Sequence, residues 1–335
     1  VNVFITGITG LLGNNVARKL TARGDAVVAL VRAEPKAEVV DGIRLTLVHG
    51  DLDSRDVIDA AVASCDVVIH SAALIHLGWT RMAESMRANR DGTAVVADAA
   101  LKHGKRMVHV GTVNTLALAS TNLATKERVP SNEETLITEL NAQVPCAYVA
   151  SKRASVEVVT ERLARGLDAV FVHPGFMLGP YDWKPSSGRM MLELGRGFKP
   201  VFPVGGCSVC DVRDVASGVV AALDRGATGR HYVLAGEDMT YKQLWSEMAA
   251  RMGRPKPILP IGPMLRTLAG VFGDLAAKLT GKETDINSAG VQMSSQFHWH
   301  SSERARAELG YSNRDVNQTL DDAAKWIKDH FMSNR

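Results

Sequence analysis

Within residues 146–155, "CAYVASKRAS", Tyr148 and Lys152 have the types and spacing for proton chemistry. Four positions apart on a helix, they share one face. An ammonium beside a phenol favours the phenolate and lowers the tyrosine pKa from its ordinary value of about 10. A tyrosine poised nearer neutrality can pass a proton to or from a reacting oxygen. A lone Tyr-x-x-x-Lys pair also arises by chance in a chain of this length, so it needs company. In "MVHVGTVNT", Thr112 follows an apolar run with the character of a sheet strand. A hydroxyl at the C-terminal end of a parallel strand faces the ligand crevice. There it could donate to a carbonyl oxygen while Tyr148 donates a second hydrogen bond. Thr112 would serve equally as a turn cap.

A second set of residues could hold a dinucleotide. "VNVFITGITGLLGNNVARKL" opens the chain with an apolar run, Gly7, Gly10 and Gly13, and a helical pattern. Glycines between a strand and a helix let the backbone turn tightly and come close to a pyrophosphate. The helix start offers unpaired N–H groups and a positive dipole end. The spacing is not G-x-G-x-x-G, and a tight turn with close helix packing would account for the same three glycines. Cofactor choice is written at the end of the second strand, where an acid binds the ribose of NAD and an arginine accommodates the 2′-phosphate of NADP. Here Val31 stands at the tip and Arg32 follows, with Glu34 expected to face water. This favours NADP(H), with NAD(H) also admitted. A solvated surface arginine is the competing account of Arg32.

These groups need a scaffold. The spacing predicts strands at 1–6, 26–31, 43–51, 65–73, 105–112 and 168–175. It predicts helices at 11–23, at about 54–64, over 80–103 as one element carrying Asn89, and at 148–165. Strands alternating with helices give an α/β fold, a doubly wound parallel sheet of Rossmann-like type. Residues 118–147 read as polar loop. Further helices are expected at about 211–225, 240–252, 262–280 and 317–331, mixed with short strands. This pattern suggests a dinucleotide-binding domain over 1–175 and a smaller α/β substrate lobe over 176–335, with chain crossing between them.

Composition narrows the function classes. The chain has 335 residues, 46% apolar and 22% charged, with a formal charge of +3 and no basic run. Nucleic-acid binding is not expected. No run of 18 uncharged apolar residues suggests a transmembrane helix. The opening strand leaves no room for a signal peptide. Four cysteines, Cys65, Cys146, Cys207 and Cys210, do not form a disulfide framework, and a reducing cytoplasm fits. Cys207-x-x-Cys210, with His298 and His300 of "HWH", has the residue types of a metal site. The pairs lie far apart in sequence, and no metal is expected.

Taken together and in order, these motifs resemble the extended short-chain dehydrogenase/reductase superfamily. The resemblance rests on "TGITGLLG" (6–13), "GDLDS" (50–54), "HSAA" (70–73), "NRDGT" (89–93), Thr112, "YVASK" (148–152) and "HPGFMLGP" (173–180). "SSERARAELGY" is similar to that family's usual ending, so nearly the whole chain is covered. Within it the sequence most resembles the dihydroflavonol-4-reductase-like branch of NADPH-dependent ketone and aldehyde reductases. It is also similar to hopanoid-associated sugar epimerase-like proteins.

The resemblance implies Tyr148 as proton donor, Lys152 on the nicotinamide ribose lowering the Tyr148 pKa, and Thr112 in a place usually held by serine. It implies cofactor contacts from Gly7, Thr9, Gly10, Leu11, Leu12, Gly13, Arg32, Asp51, Leu52, Ala72, Ala73 and Pro174, besides Tyr148 and Lys152. It also implies a homodimer through two-helix faces, a monomer being the other arrangement. Three departures count against a nucleotide-sugar enzyme: Leu116 where tyrosine is usual, no asparagine in "VFVHPGFML", and Val31 in place of an acid.

The expected reaction is therefore NADPH-dependent reduction of a carbonyl on a hydrophobic or aromatic small molecule. A nucleotide-sugar epimerase or dehydratase is the alternative, and a non-catalytic dinucleotide sensor the third. A pocket between the lobes would draw on His76, Trp79, Phe176, Met177, Trp183, Met190 and Phe202, each of which ordinary packing could also explain. On the 262–280 helix, Met264, Leu268, Val271, Phe272, Leu275 and Leu279 share a face. That face is expected to pack on the small lobe, a partner or membrane surface being the other reading.

Overall fold

The computed structural model describes residues 1–332 apart from 281, 282 and 284–286. In the first half, strands β1 (Asn2–Thr6), β2 (Ala26–Val31), β3 (Leu45–His49), β4 (Val67–His70), β5 (Arg106–Val110) and β6 (Ala169–Pro174) alternate with helices. These helices are α1 (Leu11–Arg23), α2 (Arg55–Ala63), α3 (Gly92–Lys102) and α4 (Ala147–Leu163). The second half contains β7 (Phe176–Leu178), α5 (Gly188–Arg196), β8 (Gly206–Asp211), α6 (Val212–Arg225), β9 (His231–Leu234), β10 (Glu237–Thr240) and α7 (Tyr241–Arg251). It ends with α8 (Pro263–Thr280), α9 (Ser288–Met293), β11 (Phe297–His298) and α10 (Val316–Phe331).

Seven strands form one parallel sheet in the order β9-β6-β5-β4-β1-β2-β3. Strands of this kind are covered on both faces, which is why they read as continuous apolar runs. Alternate residues divide between two cores. Val3, Ile5, Val108 and Val170 pack under α1 and α6. Phe4, Val68, Met107 and Phe171 pack under α2, α3 and α4. Chain order reverses between β1 and β4, so a crevice opens outside their C-terminal ends.

The second lobe centres on β8, which pairs with β10, β11 and β7. Met191 of α5, Leu244 and Met248 of α7, and Leu320 and Ile327 of α10 fill its core. β9 returns from this half to the large sheet, beside β6.

Three features differ from what the spacing predicts. The helix expected over 80–103 is interrupted by a π-helical turn, Met86–Asp91, which carries Asn89; such turns often mark functional positions. Residues expected as loop include a small hairpin, Ser120–Thr121 with Arg128–Val129. The third is α8, whose bulky apolar residues face outward: Met264, Leu268, Val271, Phe272, Leu275 and Leu279 are exposed. The helix turns Gly270, Gly273 and Ala277 inward.

The Cys207-x-x-Cys210 pair also resolves. Both thiols lie on β8, and three positions along a strand put them on opposite faces. Cys207 joins the small-lobe core and Cys210 the core beneath α6. His298 Nε2 pairs with the Met293 carbonyl at 3.0 Å and His300 Nε2 with the Ala117 carbonyl at 3.1 Å. Among the described residues, no group of three or more His, Cys, Asp or Glu side chains is placed to hold a metal ion.

Candidate active site at the sheet crevice

The three glycines of the opening loop meet three different demands. Gly7 has a left-handed φ of +84°, and a Cβ there would stand 2.8 Å from the Ala72 nitrogen. A Cβ on Gly13 would lie 2.2 Å from the Gly7 carbonyl oxygen, so α1 packs on the turn only through a bare backbone. Gly10 is different: it is exposed, and its Cβ would meet only the Gly7 oxygen, at 3.3 Å. Little inside the protein requires a glycine at position 10. The bare backbone leaves that side of the loop open. Thr9 is half-buried beside it, and Leu11 and Leu12 anchor the first turn of α1 in the core. That turn carries no acidic side chain, which leaves its positive end open to phosphate.

Arg32 leaves the end of β2 exposed, with no hydrogen bond or ion pair to any described residue. Glu34 turns toward His49, 3.5 Å away. Asp51 Oδ1 accepts from the Ser54 hydroxyl at 2.8 Å and the Asp53 N–H at 3.0 Å, and these bonds hold its carboxyl below the usual range. Leu52 packs where a Cβ on Gly92 would come within 2.7 Å of it. The Ala72 N–H donates to Thr6 Oγ1 at 3.1 Å, Ala73 is exposed, and Pro174 closes β6. Arg32, Ala72, Ala73 and Pro174 thus stand at or just past the C-terminal ends of their strands, around the switch point.

Thr112 follows β5 and is buried, and its hydroxyl favours the ionised form of the half-buried Tyr148 phenol. Thr112 Oγ1 accepts from the Asn114 N–H at 3.3 Å. Burial pushes the Tyr148 phenol up to about 12, against the influence of Thr112. Lys152 is buried as well, and desolvation brings its ammonium down to about 7. Its Nζ donates to the Val110 carbonyl at 2.7 Å. This corrects one expectation. Among the protein's own groups Lys152 does not draw Tyr148 below its ordinary pKa; burial governs both, and it moves them apart, each toward its neutral form.

Helix α4, which carries Tyr148 and Lys152, is held by contacts that its sequence does not announce. Asn89, in the π-turn, donates to Ser151 Oγ at 2.8 Å and to the Leu74 carbonyl at 2.9 Å, and accepts from the Leu74 N–H at 2.7 Å. It ties α4 to the crevice floor. His70 bridges Thr6 and Thr93 at 2.8 and 3.0 Å, and burial holds it down to about 3, hence neutral. Cys146, buried against Met293 with 3.8 Å between sulfurs, precedes the helix.

The carbonyls of His76 and Gly78 accept from the Tyr148 and Ala147 N–H groups at 3.2 and 2.9 Å. The same loop encloses Glu283. Its carboxylate accepts from the Trp79 and Thr80 N–H groups at 3.0 Å, the Thr80 hydroxyl at 2.6 Å and His76 Nε2 at 2.7 Å. Burial opposes ionisation, but these bonds outweigh it and hold the carboxyl down to about 2. Glu283 belongs to no motif, and nothing local marks it.

Of the pocket candidates, His76 and Trp79 therefore flank α4, with the His76 imidazole already committed to Glu283. Trp79 is exposed and donates Nε1 to Ser288 Oγ at 2.8 Å. Phe176 and Met190 pack with the small-lobe core, Met177 packs against the core under α6, and Phe202 is buried. Trp183 stacks edge-on against Trp326 and His330 of α10, with centroids at 4.8 and 5.2 Å. Packing accounts for these five.

Residues 3–235 match the model of the NAD dependent epimerase/dehydratase family. A Methylococcus capsulatus protein named sterol demethylase protein B is 27% identical over 99% of this chain and 100% of its own. A Synechocystis sp. protein provisionally named dihydroflavonol 4-reductase is 31% identical over 98% of this chain and 94% of its own. A Stigmatella aurantiaca protein, 4-hydroxy-2-methyl-3-oxo-4-farnesyl-3,4-dihydroquinoline-1-oxide ketoreductase, is 29% identical over 97% and 96%.

Proposed function

The chain belongs to the NAD dependent epimerase/dehydratase family, as an NAD(P)-dependent oxidoreductase of its dihydroflavonol-4-reductase-like branch, and from that premise we propose that it reduces the carbonyl of a hydrophobic ketone or aldehyde, with NADPH preferred. The observation that carries the proposal is the Thr112–Tyr148 hydroxyl pair past the end of β5, with Thr112 buried and Tyr148 half-buried. A phenol held at about 12 is fully protonated at neutral pH. That is the acid form a proton donor to a developing alkoxide must have.

Bound in the crevice, the nicotinamide supplies the hydride. The chain's own residues do the rest. Thr112 holds the carbonyl oxygen, and Tyr148 gives it a proton, so that ketone, reduced cofactor and one proton yield alcohol and oxidised cofactor. Lys152, at about 7 and bonded to a neutral carbonyl, carries no carboxylate partner to compete for it, which suits a ribose hydroxyl. Gly10 and the start of α1 suit the pyrophosphate. The unpaired Arg32 suits a 2′-phosphate. The names of the relatives, which concern a sterol, a flavonol type and a farnesylated quinoline, favour an apolar substrate.

The family description keeps a nucleotide-sugar epimerase or dehydratase as the second reading. A panel of apolar ketones, aldehydes and nucleotide sugars separates the two when cofactor oxidation is followed at the nicotinamide absorbance. Net consumption of NADPH with an apolar ketone is expected. Conversion of a nucleotide sugar with no net change in cofactor would overturn the proposal.

A further inference from the structure

α8 is built inside out. Its buried positions, Gly270, Gly273 and Ala277, follow a three-and-four spacing along one face. Gly270 comes so near α9 that a Cβ on it would stand 3.0 Å from Ser288 Cα. The bulky residues point the other way: Met264 is 78% exposed, Phe272 66% and Leu279 78%. A helix that served only its own protein would bury these and expose the small ones. A contiguous apolar surface of this kind marks an interaction site.

The surface continues at both ends. Ile258 and Leu259, just before α8, are exposed. On the other side, Ser288 receives the Trp79 indole, and Ile75, Leu77 and Trp79 are exposed on the loop that caps α4. Through Ser288, which lies on the packing side of α8, this loop and its exposed apolar residues adjoin the helix. Its charge is one-sided. Between residues 254 and 280 the exposed Lys256 and Lys278 stand against Asp274 alone, whose carboxylate already accepts from the Ser288 N–H at 3.0 Å, while Arg254 Nε donates to the Gly195 carbonyl and Arg266 shares the face of Gly270, Gly273 and Ala277. Cations beside an apolar helix face match an anionic lipid surface. A second copy would set the same cations against each other. Among the described residues no helix is long and apolar enough to cross a membrane, so α8 would lie along the surface.

We propose that α8 docks in the interface of an anionic lipid bilayer and turns the mouth of the crevice toward it. Entry of substrate from the lipid rests on the apolar-substrate reading above; the docking does not.

The test is co-sedimentation of the full chain with vesicles of phosphatidylcholine alone and of phosphatidylcholine with phosphatidylglycerol. The protein is expected to partition onto the anionic vesicles, less so as salt rises. Leu268→Ser with Phe272→Ser should weaken partition about tenfold or more. Lys256→Gln with Lys278→Gln should weaken it on anionic vesicles only. Both pairs should keep the wild-type melting temperature, and both should keep turnover of a water-soluble ketone without lipid, so that failure of docking and failure of the assigned reaction are told apart. Equal sedimentation of the Leu268→Ser, Phe272→Ser variant overturns the proposal, as does absence of wild-type protein from both pellets. So does a lipid-free dimer that Phe272→Ser dissociates, which would make the face a contact between copies.

Discussion

The ammonium of Lys152 is buried 2.7 Å from the carbonyl oxygen of Val110, with its pKa brought down to about 7 by desolvation. Between pH 7 and its ordinary value near 10.5 the unfolded chain holds a proton that the folded chain has released. Stability from this group therefore rises with pH through that window, by up to about 1.4 kcal/mol per unit. Below pH 7 its cost is complete. Lys152→Met should raise the melting temperature of the nucleotide-free protein at pH 7, with a gain that fades toward pH 10, while weakening cofactor binding. Thermal melts across this range, with fluorescence titration of NADPH, check both. A gain independent of pH would place the effect in packing rather than charge.

The hydroxyl pair makes a sharper claim about chemistry. Tyr148→Phe removes only an oxygen, so nucleotide affinity and fold should persist while turnover falls about 10²–10⁴-fold. Thr112→Ser should keep substantial activity, and Thr112→Val should slow the chemical step by about 10²-fold or more. Single-turnover rates with a ketone substrate distinguish these; a wild-type rate in Tyr148→Phe removes it as the acid.

Arg32 is exposed and makes no hydrogen bond or ion pair with any described residue, so its loss should be silent in the fold. Arg32→Ala should weaken NADPH about 10- to 100-fold and NADH little, as expected for a lost charge-assisted contact. Equal losses for the two nucleotides would mean that Arg32 does not meet the 2′-phosphate.

Gly10 and Gly13 should respond differently to the same methyl group. Gly10→Ala meets only a 3.3 Å contact and should keep the melting temperature while losing dinucleotide affinity. Gly13→Ala drives a carbon to 2.2 Å from a backbone oxygen, and should lower stability as well as binding. Parallel losses in both variants would mean that position 10 is structural.

Much of this was legible in the sequence because it was local. A strand, a glycine-bearing turn and a helix in immediate succession leave few alternatives, and the Tyr148–Lys152 spacing follows from helical geometry alone. What was not legible depended on partners distant in sequence. The apolar period of 262–280 announces a face but not what covers it, and only the structure shows that Gly270, Gly273 and Ala277 are the packing side. The Tyr148 pKa was expected to fall because adjacency is visible in a sequence and burial is not. Cys207 and Cys210 resembled a pair until β8 put them on opposite faces. Glu283 acquires its role wholly from Trp79, Thr80 and His76, some two hundred residues earlier.

All four cysteines are free and buried. Cys146 alone adjoins Tyr148, wedged between α4, the capping carbonyls of His76 and Gly78, and Met293. Burial raises its pKa, so a thiol reagent at neutral pH reacts slowly until that corner parts. The other three sit deep in the sheet and small-lobe cores and wait for wider unfolding. The rate at which Cys146 alkylates therefore keeps time for the breathing of the crevice mouth, and a ligand that clamps the mouth should stop that clock without altering the other three.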